Sequence, residues 1–161
     1  MYLFIDGIDL KIILLIGILI LAIGYLFMIN VIYFLAPTKK WTEFPEKCSV
    51  KTKCTRVADA NNRGYGLKPI EFEGKVDMIQ QNIVNLIKSK PRMEIVNNLS
   101  GFIHAIDVTP IFRFYDDVAI KIFEKEGKTT VWMQSQSRLG YYDLQVNEKR
   151  IQELHKEISN L

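Results

Sequence analysis

The chain is poor in the residues from which reaction centres are usually built. Two cysteines, Cys48 and Cys54, and two histidines, His104 and His155, are all that its 161 residues contain. No G-x-S-x-G, Walker loop, H-E-x-x-H or G-x-G-x-x-G occurs. The spacing signatures of the corresponding hydrolases, nucleotide-binding loops, zinc proteases and dinucleotide folds are therefore missing. The C-x-x-C redox motif is missing too. Ser135 and Ser137 have no base placed with them. A dominant charge sign is also lacking: the formal net charge is +3. The basic excess is scattered, so it makes no electrostatic footprint for nucleic acid. No catalytic residue, cofactor or metal is nominated, and nucleic acid is not expected as a partner.

Charge is absent altogether from Ile12 to Ala36. Those 25 residues, as a helix, measure roughly 37 Å, enough to cross a ~30 Å hydrocarbon layer with some tilt. A globular helix is rarely so long and apolar all round. Tyr33 and Trp41 are expected at one headgroup level, and Pro37 ends the run, because the residue before a proline avoids helical backbone. Asn30 is the one strongly polar residue inside; it reads as interfacial, or as a hydrogen bond to a partner helix. Gly17 and Gly24 stand seven apart, so the GxxxG dimer motif is missing. A cleaved signal peptide is the competing reading. Asp6 and Asp9 outweigh Lys11 before the run, the run exceeds a usual h-region, and no clean Ala-x-Ala site follows. The expectation is an uncleaved single-pass anchor.

Cys48 and Cys54 form the run CSVKTKC. An isolated close pair just beyond a membrane anchor suggests a disulfide in an oxidising compartment. Free thiols are one alternative. A zinc site completed by His104 and His155 is another, at no recognised ligand spacing. The pair places the domain on the extracytoplasmic side. Lys39 and Lys40, against Lys11 alone before the span, lean the other way.

The remaining chain divides by composition. Residues 1–11 are a short tail, 12–36 the span, 37–72 a lead-in rich in breakers (Pro37, Pro45, Gly64, Gly66, Pro69), and 73–161 the domain proper. Val76, Ile79, Ile83, Leu86 and Ile87 recur at helical spacing, predicting a helix over about 75–88 that stops before Pro91. The period then falls to two. Residues 94–97 make a short strand; Phe102, His104, Ile106 and Val108 alternate, as do Val118, Ile120 and Ile122. Glu126-Gly127-Lys128 is a turn into a strand at 129–137, with Val131 and Met133 on one face and Trp132 on the other. Asn147 is read as the cap of a last helix carrying Ile151, Leu154 and Ile158. The fold class is α+β: an N-terminal transmembrane helix, then three to five antiparallel strands with helices packed on one face.

Two polar clusters supply candidate ligand- or partner-binding residues. The first holds Arg113, Asp116 and Asp117; the second holds Ser137, Arg138 and Asp143 and leads to Asn147 and Arg150. Arg138 has the fork to clamp a carboxylate or phosphate. The competing reading is structural: Arg138 with Asp143 across their turn, and Arg150 with Asp116 or Asp117, locking the last helix to the sheet. Adjacent Asp116 and Asp117 point to opposite faces of a strand, so they do not form an acid/base pair. His104, on the stripe of its strand, reads as a satisfied core histidine, and His155 as exposed.

Phe114-Tyr115-Asp116-Asp117-Val118, then Ser137-Arg138-Leu139-Gly140-Tyr141-Tyr142-Asp143, then Val146-Asn147 and Arg150-Ile151, resemble the family known as domain of unknown function 1499. Cys54-Thr55-Arg56-Val57 is similar to its early cysteine motif. The resemblance covers roughly residues 48–154. Gln145 stands where that family often has glycine, and Glu148 where it often has a basic residue. The resemblance implies a fold unit often found behind a membrane or targeting segment, and no established activity.

These readings converge on a membrane-anchored, non-catalytic binding or assembly module, with an accessory subunit of a membrane complex as one form of it. Membrane lipid and other membrane-protein subunits are the expected partners. A small anionic-ligand or lipid-binding domain, with Arg138 and Arg150 holding the anion, is the alternative; an enzyme of unspecified type is another.

Overall fold

The uncharged N-terminal run folds as the helix its composition requires. In the computed structural model, which describes residues 10–36 and 39–161, helix α1 spans Leu10–Leu35. It begins inside the segment read as a tail; most of that tail, and the stop at Pro37, lie outside the described residues. At 26 residues it is about 39 Å long. No residue of its most apolar 18-residue window is buried. It is long and apolar enough to cross a membrane. Asn30 Nδ2 donates to the Leu26 carbonyl one turn back at 2.7 Å, so its polar group is satisfied within its own helix.

Six strands follow, all antiparallel: β1 (Cys54–Val57), β2 (Ile70–Phe72), β3 (Met93–Leu99), β4 (Phe102–Val108), β5 (Tyr115–Lys125) and β6 (Lys128–Ser137). The sheet order is β1-β6-β5-β4-β3, and β2 also pairs β6, end to end with β1 along one edge. Helix α2 (Val76–Ser89) connects β2 to β3, and α3 (Val146–Ile158) ends the fold. Alternation exposes the long strands, but β1 and β2 have four and three residues, too few to show a period, and both lie in the stretch read as lead-in. The β5–β6 hairpin turns at Glu126 and Gly127, with φ of 53° and 80°. Two left-handed residues match the type I′ turn that suits strand twist. The β3–β4 turn needs its glycine for space as well: a Cβ on Gly101, at φ 72°, would stand 2.8 Å from the Ile122 carbonyl oxygen.

One face of the sheet carries the apolar core. Val57, Ile103, Val118, Ile120, Val131 and Met133 meet the buried stripes of the two helices, Ile79, Ile83 and Ile87 of α2 and Ile151, Leu154 and Ile158 of α3. Ile103 and Ala105, rather than the Phe102-His104-Ile106-Val108 stripe, supply β4's part. The second stripe is nonetheless buried, because residues 39–50 cross the other face as a strap. Trp41 lies flat on His104, with ring centroids 4.8 Å apart, and Phe44 packs against Trp132. Trp41 is thus packed into the domain, and the Tyr33 ring meets Tyr115 edge-on.

Cys48 and Cys54 are disulfide-bonded, with Cα atoms 5.8 Å apart. The bond ties the strap to the first residue of β1. Closing a loop of this length is worth about 2 kcal/mol in the chain-entropy model. Reduction, or Cys48→Ser, is expected to lower unfolding stability by about that amount. It should also shift tryptophan emission to the red as the strap loosens over His104 and Trp132. Chemical denaturation with and without reductant, followed by fluorescence, measures both.

Candidate functional site

The adjacent aspartates of β5 organise two polar networks, one on each face of the sheet. On the helix-covered face, Arg150 reaches down from α3. Its Nε donates to Asp107 Oδ2 and its Nη2 to Asp116 Oδ2, both at 2.8 Å. Its Nη1 donates to Ser135 Oγ at 2.9 Å and to Asn147 Oδ1 at 2.7 Å. Asn147, one helical turn before Arg150, donates through Nδ2 to Ser137 Oγ and to Asp143 Oδ2. Asp143 in turn pairs with Arg63 at 2.8 Å. Spacing of three on a helix sets Asn147 and Arg150 on one face. Spacing of two on a strand sets Ser135 and Ser137 in line with core residues Val131 and Met133. The polar lock therefore continues the apolar core toward one end of the sheet.

The opposite face holds the second network. Arg138 grips Asp117 bidentately, Nε to Oδ2 at 3.0 Å and Nη2 to Oδ1 at 2.8 Å. His104 Nε2 meets Asp117 Oδ1 at 2.9 Å. The Trp41 amide donates to His104 Nδ1 at 3.2 Å, which requires a lone pair there and sets the ring hydrogen on Nε2. Both ring nitrogens are occupied, so the His–Asp pair offers no open base. Arg138 Nη1 also donates to the Ala36 carbonyl. A cation at the end of α1 complements the negative end of the helix dipole.

Electrostatics separate the carboxylates. Burial pushes the Asp116 carboxyl above the ordinary range, and the Asp107 charge adds to that; Arg150 and the nearby Ser137 hydroxyl offset only part. For Asp117 burial acts in the same direction, but the hydrogen bonds from His104 and Arg138 and the Arg138 charge outweigh it, leaving it below the ordinary range. Asp143 is likewise lowered: burial opposes, while Arg63 and Asn147 prevail.

The sequence-nominated residues thus divide. Asp116, Ser137, Asp143, Asn147 and Arg150 converge on one face, and Asp117 and Arg138 on the other. Arg138 pairs with Asp117 and not with Asp143, because its side chain and that of Asp143 end up on different sides of the sheet edge. Arg150 takes Asp116 together with Asp107. Asn147 is not a cap: it lies inside α3, whose N-cap is Gln145 in the left-handed region, φ 65°. Leu144 is left-handed as well. The turn forms without glycine at either position, at the cost of two residues in a backbone region L side chains adopt reluctantly. Glu148 pairs with Arg63 at 3.6 Å. Arg113 sits exposed in the β4–β5 loop, with no ion pair to another described residue. His155 is half-buried and its Nε2 meets the Lys68 carbonyl. Asp107, Ser135 and Arg63 were not nominated; an acidic residue following Ile103 and Ala105 at period two was the signal for Asp107.

Beside the first network, at the sheet end nearest α1, lies a cavity of about 230 Å³. The β4–β5 loop contributes Phe112 and Phe114, and the turn into α3 contributes Leu139, Tyr142, Leu144 and Val146. Asp116, Ser137 and Asp143 line it as well, and no Lys or Arg does. Asp116 is 1% exposed, and Arg150 and the Ser137 hydroxyl are the groups that favour its charge.

Two stability predictions follow from these pairs. Arg150→Ala leaves Asp107 and Asp116 buried without their shared cation, and is expected to cost about 3–5 kcal/mol by urea denaturation. Arg150→Lys should restore little, because one ammonium does not reproduce the fork. Asp117 and Asp143, with folded values below the unfolded one of about 3.9, contribute stability that is full above that pH and is lost as pH falls through the depressed values. Stability should therefore drop in acid below about pH 4, and Asp117→Asn should flatten that drop while lowering stability at neutral pH.

No curated protein and no solved structure matches the chain. The family model described as a protein of unknown function, DUF1499, matches residues 46–158, from just before the disulfide to the end of α3, and so takes in the sheet, the strap's cysteine pair and both polar networks: the chain belongs to that family.

Proposed function

We propose that this protein is a membrane-anchored, non-catalytic binding module whose domain rests on the bilayer surface. The carrying observation is the contact between α1 and the domain. Tyr25 Oη donates to the Ile111 carbonyl at 2.9 Å, Tyr33 packs on Tyr115, and Arg138 holds the Ala36 carbonyl. Tyr25 lies ten residues before the end of α1, roughly 15 Å along the axis. The β4–β5 loop therefore runs back beside the apolar helix. That loop and the turn into α3 carry Ile111, Phe112, Tyr141, Tyr142 and Leu144, each more than half exposed. An exposed apolar rim continuous with an apolar helix fits the interfacial layer of a membrane.

In this reading membrane lipid is the first partner, and the exposed sides of α1 are the surface for other membrane-protein subunits. The disulfide favours the extracytoplasmic side, and we take it over the weak pull of Lys39 and Lys40. Arg138 and Arg150 are engaged by carboxylates inside the domain. That favours a module built for binding through its rim and cavity over one that clamps an anion with these two arginines.

The test is fractionation of the full chain expressed in cells. The expected outcome is a protein of full-length mass that resists alkaline extraction and floats with lipid. A shorter, extractable product lacking the apolar run would identify α1 as a signal sequence and defeat the reading. Phe112→Glu with Leu144→Glu should leave the chain membrane-bound but open the rim, read as faster protease cleavage between β4 and β5.

A further inference from the structure

We propose that the cavity between the end of α1 and the strap is a binding site for the phosphate group of a small phosphate ester, held by Lys39 and Lys53. The proposal rests on the binding-module reading and names a ligand chemistry for it.

This second cavity measures about 390 Å³. Leu35, Lys39, Ser49 and Lys53 line it, together with Asp117 and Arg138 of the second network. Asp117 is the only acid among the described lining residues, and both of its oxygens are taken. Arg138 and His104 hold Oδ1, and Arg138 holds Oδ2. The charges of Arg138 and Asp117 therefore cancel within their own pair. Lys39 and Lys53 remain as two positive charges without an ion pair to a described residue.

Lys53 is the informative one. It is 9% exposed, and a lysine so far buried is almost always paired with a carboxylate. Here its Nζ donates to the Arg138 carbonyl at 3.0 Å, a neutral acceptor that takes one of three ammonium donors. The position is imposed by the fold. The Lys53 carbonyl accepts from Asn147 Nδ2 at 3.1 Å, its amide donates to the Val50 carbonyl, and the next residue is bonded to Cys48. A cation drawn out of water without a counter-charge is costly. An anion in the cavity would supply that counter-charge to Lys53 and Lys39 together.

The donors select the anion. A planar carboxylate is matched by the fork of an arginine, and the arginine here is engaged by Asp117. Two ammonium groups act as point charges, which suit the charge and the tetrahedral oxygens of a phosphate. The volume leaves room for more than the phosphate, since about 150 Å³ suffices for a benzene ring. Leu35 stands ten residues beyond Tyr25, roughly 15 Å along the axis. With the rim at the bilayer surface, that distance exceeds a headgroup layer of roughly 5–8 Å. The geometry thus favours a phosphate ester from water over a lipid headgroup.

The experiment uses the isotope-labelled full chain in micelles of a non-ionic detergent, titrated with phenyl phosphate, inorganic phosphate and benzoate. Trp41 and Gln136 also line the cavity, and the indole N–H of the first and the side-chain amide of the second report occupancy. Phenyl phosphate is expected to shift both saturably, about tenfold more tightly than benzoate, and inorganic phosphate to move the same signals more weakly. Lys53→Met should weaken phenyl phosphate about tenfold. Should that variant fail to fold, Lys39→Gln, at an exposed position, carries the same test. Lys40→Gln, next in sequence but outside the cavity, should leave the affinity unchanged. Phosphatidylglycerol added to the micelle separates the sources. Undisturbed phenyl phosphate binding assigns the ligand to water, displacement assigns it to lipid, and both uphold the phosphate chemistry. Absence of saturable shifts, equal affinity for benzoate, or equal weakening by Lys40→Gln, the mark of diffuse attraction, would overturn the proposal. Micelle titration does not require bilayer attachment, so a failed titration beside intact flotation defeats the ligand assignment alone. Failed flotation beside a saturable titration defeats the anchor alone.

Discussion

The Arg150 guanidinium is where the helix layer and the sheet are joined. It lies almost completely buried and bonds to β4 through Asp107, to β5 through Asp116 and to β6 through Ser135. Three strands and one helix meet in a single planar fork. A fork has fixed directions, so the height and rotation of α3 over the sheet are set by it more tightly than by the apolar stripe alone. Isoleucine and leucine side chains would tolerate a slide along the sheet; five directional N–H groups do not. The same fork is also an electrostatic compromise. One cation serves two buried carboxylates: burial holds Asp116 above its ordinary range, the Asp107 charge adds to that, and Arg150 offsets only part.

Strand geometry turns this local arrangement into a two-sided one. Asp116 and Asp117 are neighbours in sequence and point to opposite faces. The first belongs to the α3 lock; the second belongs to the Arg138–His104 network beneath the strap. Both networks lie toward the end of the sheet that meets α1. The helix end is held by Arg138, and the β4–β5 loop is held by Tyr25. The polar machinery thus positions the domain relative to the apolar helix as well as closing its own layers. The disulfide serves the same end, because it fastens the strap that seals His104 from water.

The candidate site shows why such a cluster is easily misread. Two arginines near a glycine turn at a helix start have the composition of an anion clamp. In the fold, each arginine faces a carboxylate from a strand more than twenty residues away in sequence, and the cavity beside the Arg150 network is lined by acids and apolar rings. Which partner an arginine chooses depends on strand pairing, and strand pairing is a long-range property that residue spacing does not carry.

Local chemistry was enough for several features. Absence of charge over 25 residues sufficed for α1, because only apolar side chains and internally bonded backbone are stable in hydrocarbon. Periods of 3.6 and two sufficed for α2, α3 and the long strands, and Glu126-Gly127 for the hairpin turn, because these follow from backbone geometry within a few residues. Opposite facing of Asp116 and Asp117 followed from the same period. The short strands β1 and β2, the strap over the second face, the left-handed entry into α3 at Leu144 and Gln145, and the choice of Asp107 and Asp116 by Arg150 were decided only by tertiary structure. Each of them depends on a partner brought close by the chain's return, and a buried charge or an edge strand has no local pattern until that partner is present. The chain by itself determined that an apolar helix precedes an α+β domain with two polar clusters; the fold decided that those clusters are locks, because strand pairing alone delivers each arginine its carboxylate.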